Sequence, residues 1–135
     1  MSGNAQQGFT LTELLITVVI VSILLSIAVP SYRQHIVRSK RVAAQAAMMD
    51  IANREQQFLL ANRAYVDRAT LAASGYAPPA EVTESYAWDV VPGVGPTPSF
   101  VITFTGTGAQ ASDNSPQPLT LTSAGDKAPA EKWKR

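Results

Sequence analysis

The chain has 135 residues, 46% of them hydrophobic and 16% charged, with a formal net charge of +1. That leaves room for one domain with appendages, and the apolar content excludes disorder of the whole. Near-neutrality argues against a protein built to coat nucleic acid, which carries a basic surplus. The lack of cysteine rules out disulfides, thiolate metal sites and cysteine nucleophiles.

The apolar residues are unevenly placed. From Leu14 to Val29 the only polar residues are Thr17, Ser22 and Ser26. As a helix, the 21 residues from Phe9 to Val29 span about 30 Å, the thickness of a bilayer core. Pro30 ends or kinks that helix, because it has no N–H and crowds the carbonyl of Ser26. Ser22, Ser26 and Pro30 share a face at small-residue spacing that permits close helix approach. Two ordinary readings compete. A secretory signal peptide cut after Ser26-Ile27-Ala28 lacks its basic n-region, since Met1 to Gly8 has no Lys or Arg. A plain single-pass anchor has no use for Glu13, an acid at the edge of the run, where a carboxylate in hydrocarbon costs about 2.5 to 3.5 kcal/mol at mid-helix and less near the interface.

The run Gly8-Phe9-Thr10-Leu11-Thr12-Glu13-Leu14-Leu15-Ile16, after a short polar leader and before an apolar stretch reaching Pro30, resembles the class III signal of type IV pilins and pseudopilins. The resemblance implies that residues 1–8 are a leader cut by a prepilin peptidase between Gly8 and Phe9. It further implies that Phe9 becomes the N-methylated first residue and that Glu13 sets register during assembly. The physics agrees: cleavage frees an ammonium at Phe9, and a neighbouring Glu13 supplies the opposite charge where pairing relieves the burial of both. This chain departs from the family in having no basic residue in its leader and in carrying Ser22 where many members have glycine. Arg33, Arg38, Lys40 and Arg41 form a collar after the apolar run, so charge counting alone puts the C-terminal side in the cytoplasm; the resemblance implies the reverse.

Ser31 to Asn62 has neither glycine nor proline and is rich in Ala, Gln, Arg and Met, which predicts that the helix continues, about 80 Å in all from Phe9. The expected segments are a filament-core helix over 9–30, an amphipathic helix over 31–62 and a head over 63–135. Ala44, Ala47, Met48, Ile51, Phe58 and Leu59 form a stripe expected to pack on a sheet. His35, without acidic or cysteine companions, reads as a solvated residue. The collar reads as a solvated or lipid-headgroup-facing surface, with DNA a secondary expectation.

Residues 61–84 read as a connecting loop with a short helical turn near Arg68 to Ala73. Tyr86 to Val91, Ser99 to Thr105 and Leu119 to Ser123 are rich in aromatic, β-branched or Thr residues between Gly and Pro, which predicts an antiparallel meander. The expected class is α+β: a long N-terminal helix packed on a small antiparallel sheet of three to four strands. The stretches Phe58 to Tyr65, Phe100 to Phe104 and Leu119 to Lys127, with Trp133, resemble minor pilins of the PilE type, and the pilin fold follows from that resemblance. Where that family commonly has a disulfide near the C-terminus, Pro116 and Lys132 stand instead. A bridge closing about 15 residues would be worth about 3 kcal/mol, so burial of Trp133 is the expected substitute.

The inventory for catalysis is bare: there is no phosphate loop, no HExxH and a single histidine. The resulting expectation is a non-enzymatic type IV pilus subunit without cofactor or metal. Its partners would be other pilin subunits, the prepilin peptidase, an inner-membrane assembly platform and, before assembly, lipid. Localisation follows from the resemblance: inner membrane with a periplasmic head, then an extracellular pilus serving adhesion, twitching motility or DNA uptake. The alternatives are a type II secretion pseudopilin and a membrane-tethered periplasmic binding module, whose surfaces would be the loops 92–98 and 106–118.

Overall fold

The computed structural model describes residues 8–134; Met1 to Gln7, part of the stretch expected to be a leader, lie outside the described residues. Helix α1 runs over Leu11–Asn62, through Pro30. The chain divides into two compact units, one ending at Ile36 and the other beginning at Val37.

In the first unit the side chains of α1 are exposed on all sides. Leu14 is 60% exposed and Ile27 68%, so the apolar surface has no cover among the described residues. The helix is long and apolar enough to cross a membrane. Ser22 and Ser26 turn their hydroxyls back onto the carbonyls of Val18 (2.7 Å) and Ile23 (2.6 Å), so neither is an orphan donor in apolar surroundings.

In the second unit, α1 is followed by α2 (Arg68–Ala73), α3 (Ala80–Thr83), β1 (Tyr86–Pro92), β2 (Phe100–Gly106), a 3₁₀ turn (Gly108–Asn114), β3 (Leu119–Thr122), β4 (Lys127–Ala128) and a last 3₁₀ turn (Ala130–Lys132). The strands form one antiparallel sheet in the order β1-β2-β3-β4. The α+β arrangement of a long helix on a small antiparallel sheet is therefore as expected, with a two-residue fourth strand.

Alternation explains the sheet. Tyr86, Trp88 and Val90 of β1, Phe100, Ile102 and Phe104 of β2, and Leu119 and Leu121 of β3 all point inward, each followed by a more exposed neighbour. Opposite them α1 presents Ala44, Ala47, Met48 and Ile51, fully or nearly fully buried at the i, i+3, i+4, i+7 spacing of one helical face. The two alanines let backbone approach strand, and the aromatic residues of the sheet fill the remaining space. Phe58 packs at the rim, half-buried, whereas the stripe does not extend to Leu59 as a core residue. The last fully buried position on this face is instead Glu55, one turn after Ile51.

The segment 61–84 is more ordered than its composition suggests. Asp67 caps α2 by accepting from the Thr70 N–H at 2.8 Å, and Gly75 ends it at φ 88°, a conformation in which a Cβ would be strained. The second helix of this stretch, α3, goes beyond the single turn that the sequence predicts; it buries Val82 after Pro78-Pro79. At the end of α1, Arg63 takes φ 57° and donates its N–H to the Leu59 carbonyl at 2.8 Å, the stopping role more often filled by glycine.

Candidate functional site

Two sets of residues bear on function, one in each unit. In the first, Gly8 and Phe9 precede α1, and the Phe9 side chain is 86% exposed. Thr10 and Glu13 form a reciprocal cap. A carboxylate oxygen of Glu13 accepts from the Thr10 N–H and hydroxyl, both at 2.8 Å, and the Glu13 N–H donates to the Thr10 hydroxyl at 3.2 Å. An acid at the first turn of an apolar helix thus has hydrogen-bond donors within its own chain but no cation among the described residues, and the residues involved remain exposed. Pro30 lies inside α1 without ending it.

The second set lies where sequence reasoning predicts only a surface loop. Asp113, in the 3₁₀ turn after β2, is buried, and its carboxylate gathers groups from three distant parts of the chain. Arg41 of α1 donates through Nε at 2.7 Å and through its terminal nitrogen at 2.5 Å; the Tyr86 hydroxyl donates at 2.5 Å; and the Lys132 ammonium stands 3.6 Å away. Lys132 also donates to the Asp113 carbonyl. Gln110 donates to the Tyr86 oxygen at 2.7 Å and to the Val37 carbonyl at 2.8 Å. Burial, then the hydrogen bond to Asp113, hold the Tyr86 hydroxyl far above the usual phenol range. Asn114 completes the turn by accepting from the Gly106 N–H (2.7 Å) and donating to its carbonyl (2.8 Å), as a strand neighbour would.

This network holds the tail. Gln45 of α1 donates to the Lys132 carbonyl at 2.8 Å, so Lys132 is tied to α1 both directly and through Asp113. Trp133, expected to be the anchor, is only partly buried against the core; its indole N–H donates to the Ala128 carbonyl at 3.3 Å and Lys127 lies over its ring at 5.1 Å. It contributes packing, while the directional contacts belong to Lys132. Nothing in the local sequence signals an ion pair spanning 72 positions, and by composition Arg41 belongs with the collar.

The tail and α1 bound a groove with cations on both walls, Arg38 and Arg41 on α1, Lys127, Lys132 and Lys134 opposite, and the one acid Glu131. Its apolar lining comes from Val42, Met49 and Trp133. His35, exposed, belongs to the first unit.

Residues 30–120, about two-thirds of the chain, match the family described as type IV minor pilin ComP, DNA uptake sequence receptor. The chain belongs to that family. Residues 3–29 match the prokaryotic N-terminal methylation motif, so the resemblance to type IV pilins is borne out over residues 3–120. Among curated relatives, a fimbrial protein of Pseudomonas aeruginosa is 35% identical over 67 residues, half of this chain and 44% of the relative. A fimbrial protein of Moraxella nonliquefaciens is 51% identical over 37 residues, 27% of this chain and 24% of the relative. The type IV major fimbrial protein FimA of Dichelobacter nodosus is 47% identical over 51 residues, 36% of this chain and 33% of the relative. In each case the pilin matches less than half of the relative's length. No solved structure gave a match of comparable strength.

Proposed function

We propose that this pilin is a non-catalytic structural subunit of a type IV pilus, in a minor role. It is cut between Gly8 and Phe9 by a prepilin peptidase, N-methylated at Phe9, held in the inner membrane by α1 with its C-terminal unit in the periplasm, and then passed by an assembly platform into an extracellular filament. The observation that carries this reading is the pairing of an uncovered apolar helix with an acid at its start, on which the methylation motif falls. An apolar surface of this extent needs either lipid or other helices around it. Lipid satisfies the apolar side chains but not Glu13; a neighbouring subunit satisfies both, because its Phe9 ammonium offers the charge that the Thr10 cap lacks. Pro30 serves the same end by making the helix easier to bend where it leaves the membrane.

The experiment is twofold. Mass spectrometry of the mature protein should find N-methylphenylalanine at Phe9. Glu13→Ala should leave the protein cleaved and membrane-bound but deplete it from sheared filaments; incorporation at the wild-type level would defeat the register role.

A second layer of function rests on the family's description as a DNA uptake sequence receptor. In this reading the subunit carries DNA contacts on its C-terminal unit while the filament supplies the mechanics. The cations concentrated beside the tail support it. Binding of duplex DNA by the full chain in zwitterionic detergent, measured by fluorescence anisotropy, tests it; no binding at low salt would remove it. A type II secretion pseudopilin shares the N-terminal motif, but the match over residues 30–120 favours the pilus.

A further inference from the structure

We infer that the groove between α1 and the C-terminal tail is a phosphate-backbone cradle for nucleic acid, contacted by Arg38, Lys127 and Lys134, with its two walls tied at a fixed spacing by the buried Asp113. The inference rests on the DNA-binding reading above and assigns it a place.

Charge is concentrated at this groove. The chain has 11 Lys and Arg and a net charge of only +1, yet Arg38, Arg41, Lys127, Lys132 and Lys134 all line it against one lining acid, Glu131. A cleft lined mainly by one sign of charge beside low-dielectric walls concentrates potential, and a polyanion is the ligand that such a potential selects. A duplex offers one negative charge per about 1.7 Å of axis, so cations on two facing walls can be engaged together.

These cations divide the labour. Arg41 and Lys132 are both committed to Asp113, one on each wall, so a single buried carboxylate fixes the distance between α1 and the tail. Arg38, Lys127 and Lys134 have no ion pair among the described residues, and all three are exposed; Lys127 lies over the Trp133 ring, a contact with the ring face that leaves its outward N–H donors for a phosphate. Asp113 thereby acts as a positioning residue: it neutralises part of the positive charge that would otherwise push the walls apart and leaves the outer three cations for a ligand.

Trp133 sets the kind of contact. It lines the groove, but Lys127 lies over its ring at 5.1 Å and its N–H is taken by the Ala128 carbonyl. An aromatic so occupied forms a wall; it is not a free platform for stacking bases. The contacts available are therefore to phosphates, which fix position without reading sequence. Any preference for one sequence belongs to another part of the head.

The test uses the full chain in zwitterionic detergent and a fluorescein-labelled duplex, with anisotropy titrations over a series of salt concentrations. The combined variant Arg38→Gln, Lys127→Gln, Lys134→Gln should bind at least about tenfold more weakly, and the slope of log affinity against log salt should shrink by about 2.7, that is about 0.9 for each phosphate no longer neutralised. Arg63→Gln, which removes an exposed cation outside the groove, should leave both quantities unchanged. Trp133→Phe should leave the slope unchanged, as expected of a wall. If the wild type binds and the triple variant binds equally well with an unaltered slope, the groove assignment is wrong while the DNA reading stands. If the wild type does not bind, the DNA reading itself fails and takes the assignment with it. If the triple variant loses binding to phosphatidylglycerol vesicles but not to duplex, the groove belongs to the membrane and the inference is overturned; failure of the variant to enter filaments with normal DNA binding would overturn it in favour of a second subunit as the occupant.

Discussion

Asp113→Asn isolates the charge at the centre of the C-terminal unit without changing its shape. The asparagine keeps an oxygen for the Tyr86 hydroxyl, so what is lost is the ionic tie to Arg41 and Lys132. The side chain of Asp113 is fully buried, that of Lys132 is 9% exposed and that of Arg41 21%. Removing one member of a buried pair costs about 3–5 kcal/mol, because the remaining charge is left without compensation. The partial exposure of Arg41, which lets water take over some of its solvation, argues for the lower end, about 3 kcal/mol. For a unit of about 100 residues each kcal/mol lowers the melting temperature by about 4–8 °C, so the variant should melt about 12–24 °C below wild type. The assay is a thermal melt of the full chain in detergent, followed by the near-ultraviolet signal of the buried Trp88. The partner variant Arg41→Gln allows a double-mutant cycle, and the two substitutions together should cost about 2 kcal/mol less than their sum, since each removes the other's burden. A melt within about 3 °C of wild type, or strict additivity, would refute the claim that this carboxylate holds α1 to the tail.

The remaining expectations are narrower. Gly106→Ala drives a Cβ against the Gln110 carbonyl oxygen, a backbone atom that must move, and should destabilise by about 1–3 kcal/mol in a denaturant titration. Glu55 is buried with one oxygen bonded to the Val66 N–H at 2.9 Å and the other unpartnered, and burial raises its carboxyl above the ordinary 4.5. A raised folded value means that the native state keeps a proton the unfolded chain releases, so the stability attached to this group is full below 4.5 and falls as pH rises through the folded value. Glu55→Gln should therefore raise the melting temperature at pH 7 by a few degrees and flatten its dependence over that interval; an unchanged profile would dissociate Glu55 from the pH response. Trp133→Ala should quicken amide exchange in residues after Gly125 while leaving the Arg41 and Lys132 ties to Asp113 in place, so the loss should be smaller than for Asp113→Asn. Thr10→Val removes one of the two donors to the Glu13 carboxylate and should fray the first turn of α1, read as faster exchange at Leu11 to Leu14.

The parts of this molecule legible in the sequence are those governed by period and composition. The inward-facing residues of β1 and β2 alternate strictly, and Ala44, Ala47, Met48 and Ile51 repeat at helical spacing, so helix face and sheet face follow from pattern alone. The start of α1 is legible for a different reason: an acid next to sixteen nearly apolar residues conflicts with every ordinary use of such a helix. Residues 106–118, by contrast, contain Gly, Ser, Asn and Pro and no period, and composition of that kind predicts a solvated loop. It fails there because Gln110 and Asp113 meet partners 73 and 72 positions away, and the energy of such a meeting leaves no trace in the local pattern. Glu55 escapes notice on the same ground: it occupies a core position on the α1 stripe, where the pattern demands an apolar residue, and its bond is to backbone 11 residues on.

The absent disulfide gives this network its significance. A covalent bridge acts largely on the unfolded chain and is indifferent to the charges near it. An ionic tie acts on the folded state and must place cations on both elements it joins. In this chain the elements are α1 and the tail, so the means of holding them together also lines the space between them with positive charge. Asp113 satisfies Arg41 and Lys132 but has only one charge to give, and the groove retains a surplus that Glu131 alone does not cancel. Anchoring the tail and attracting a polyanion then follow from one arrangement, and substitutions at Asp113 should disturb both, whereas substitutions at Arg38, Lys127 and Lys134 should disturb only the second.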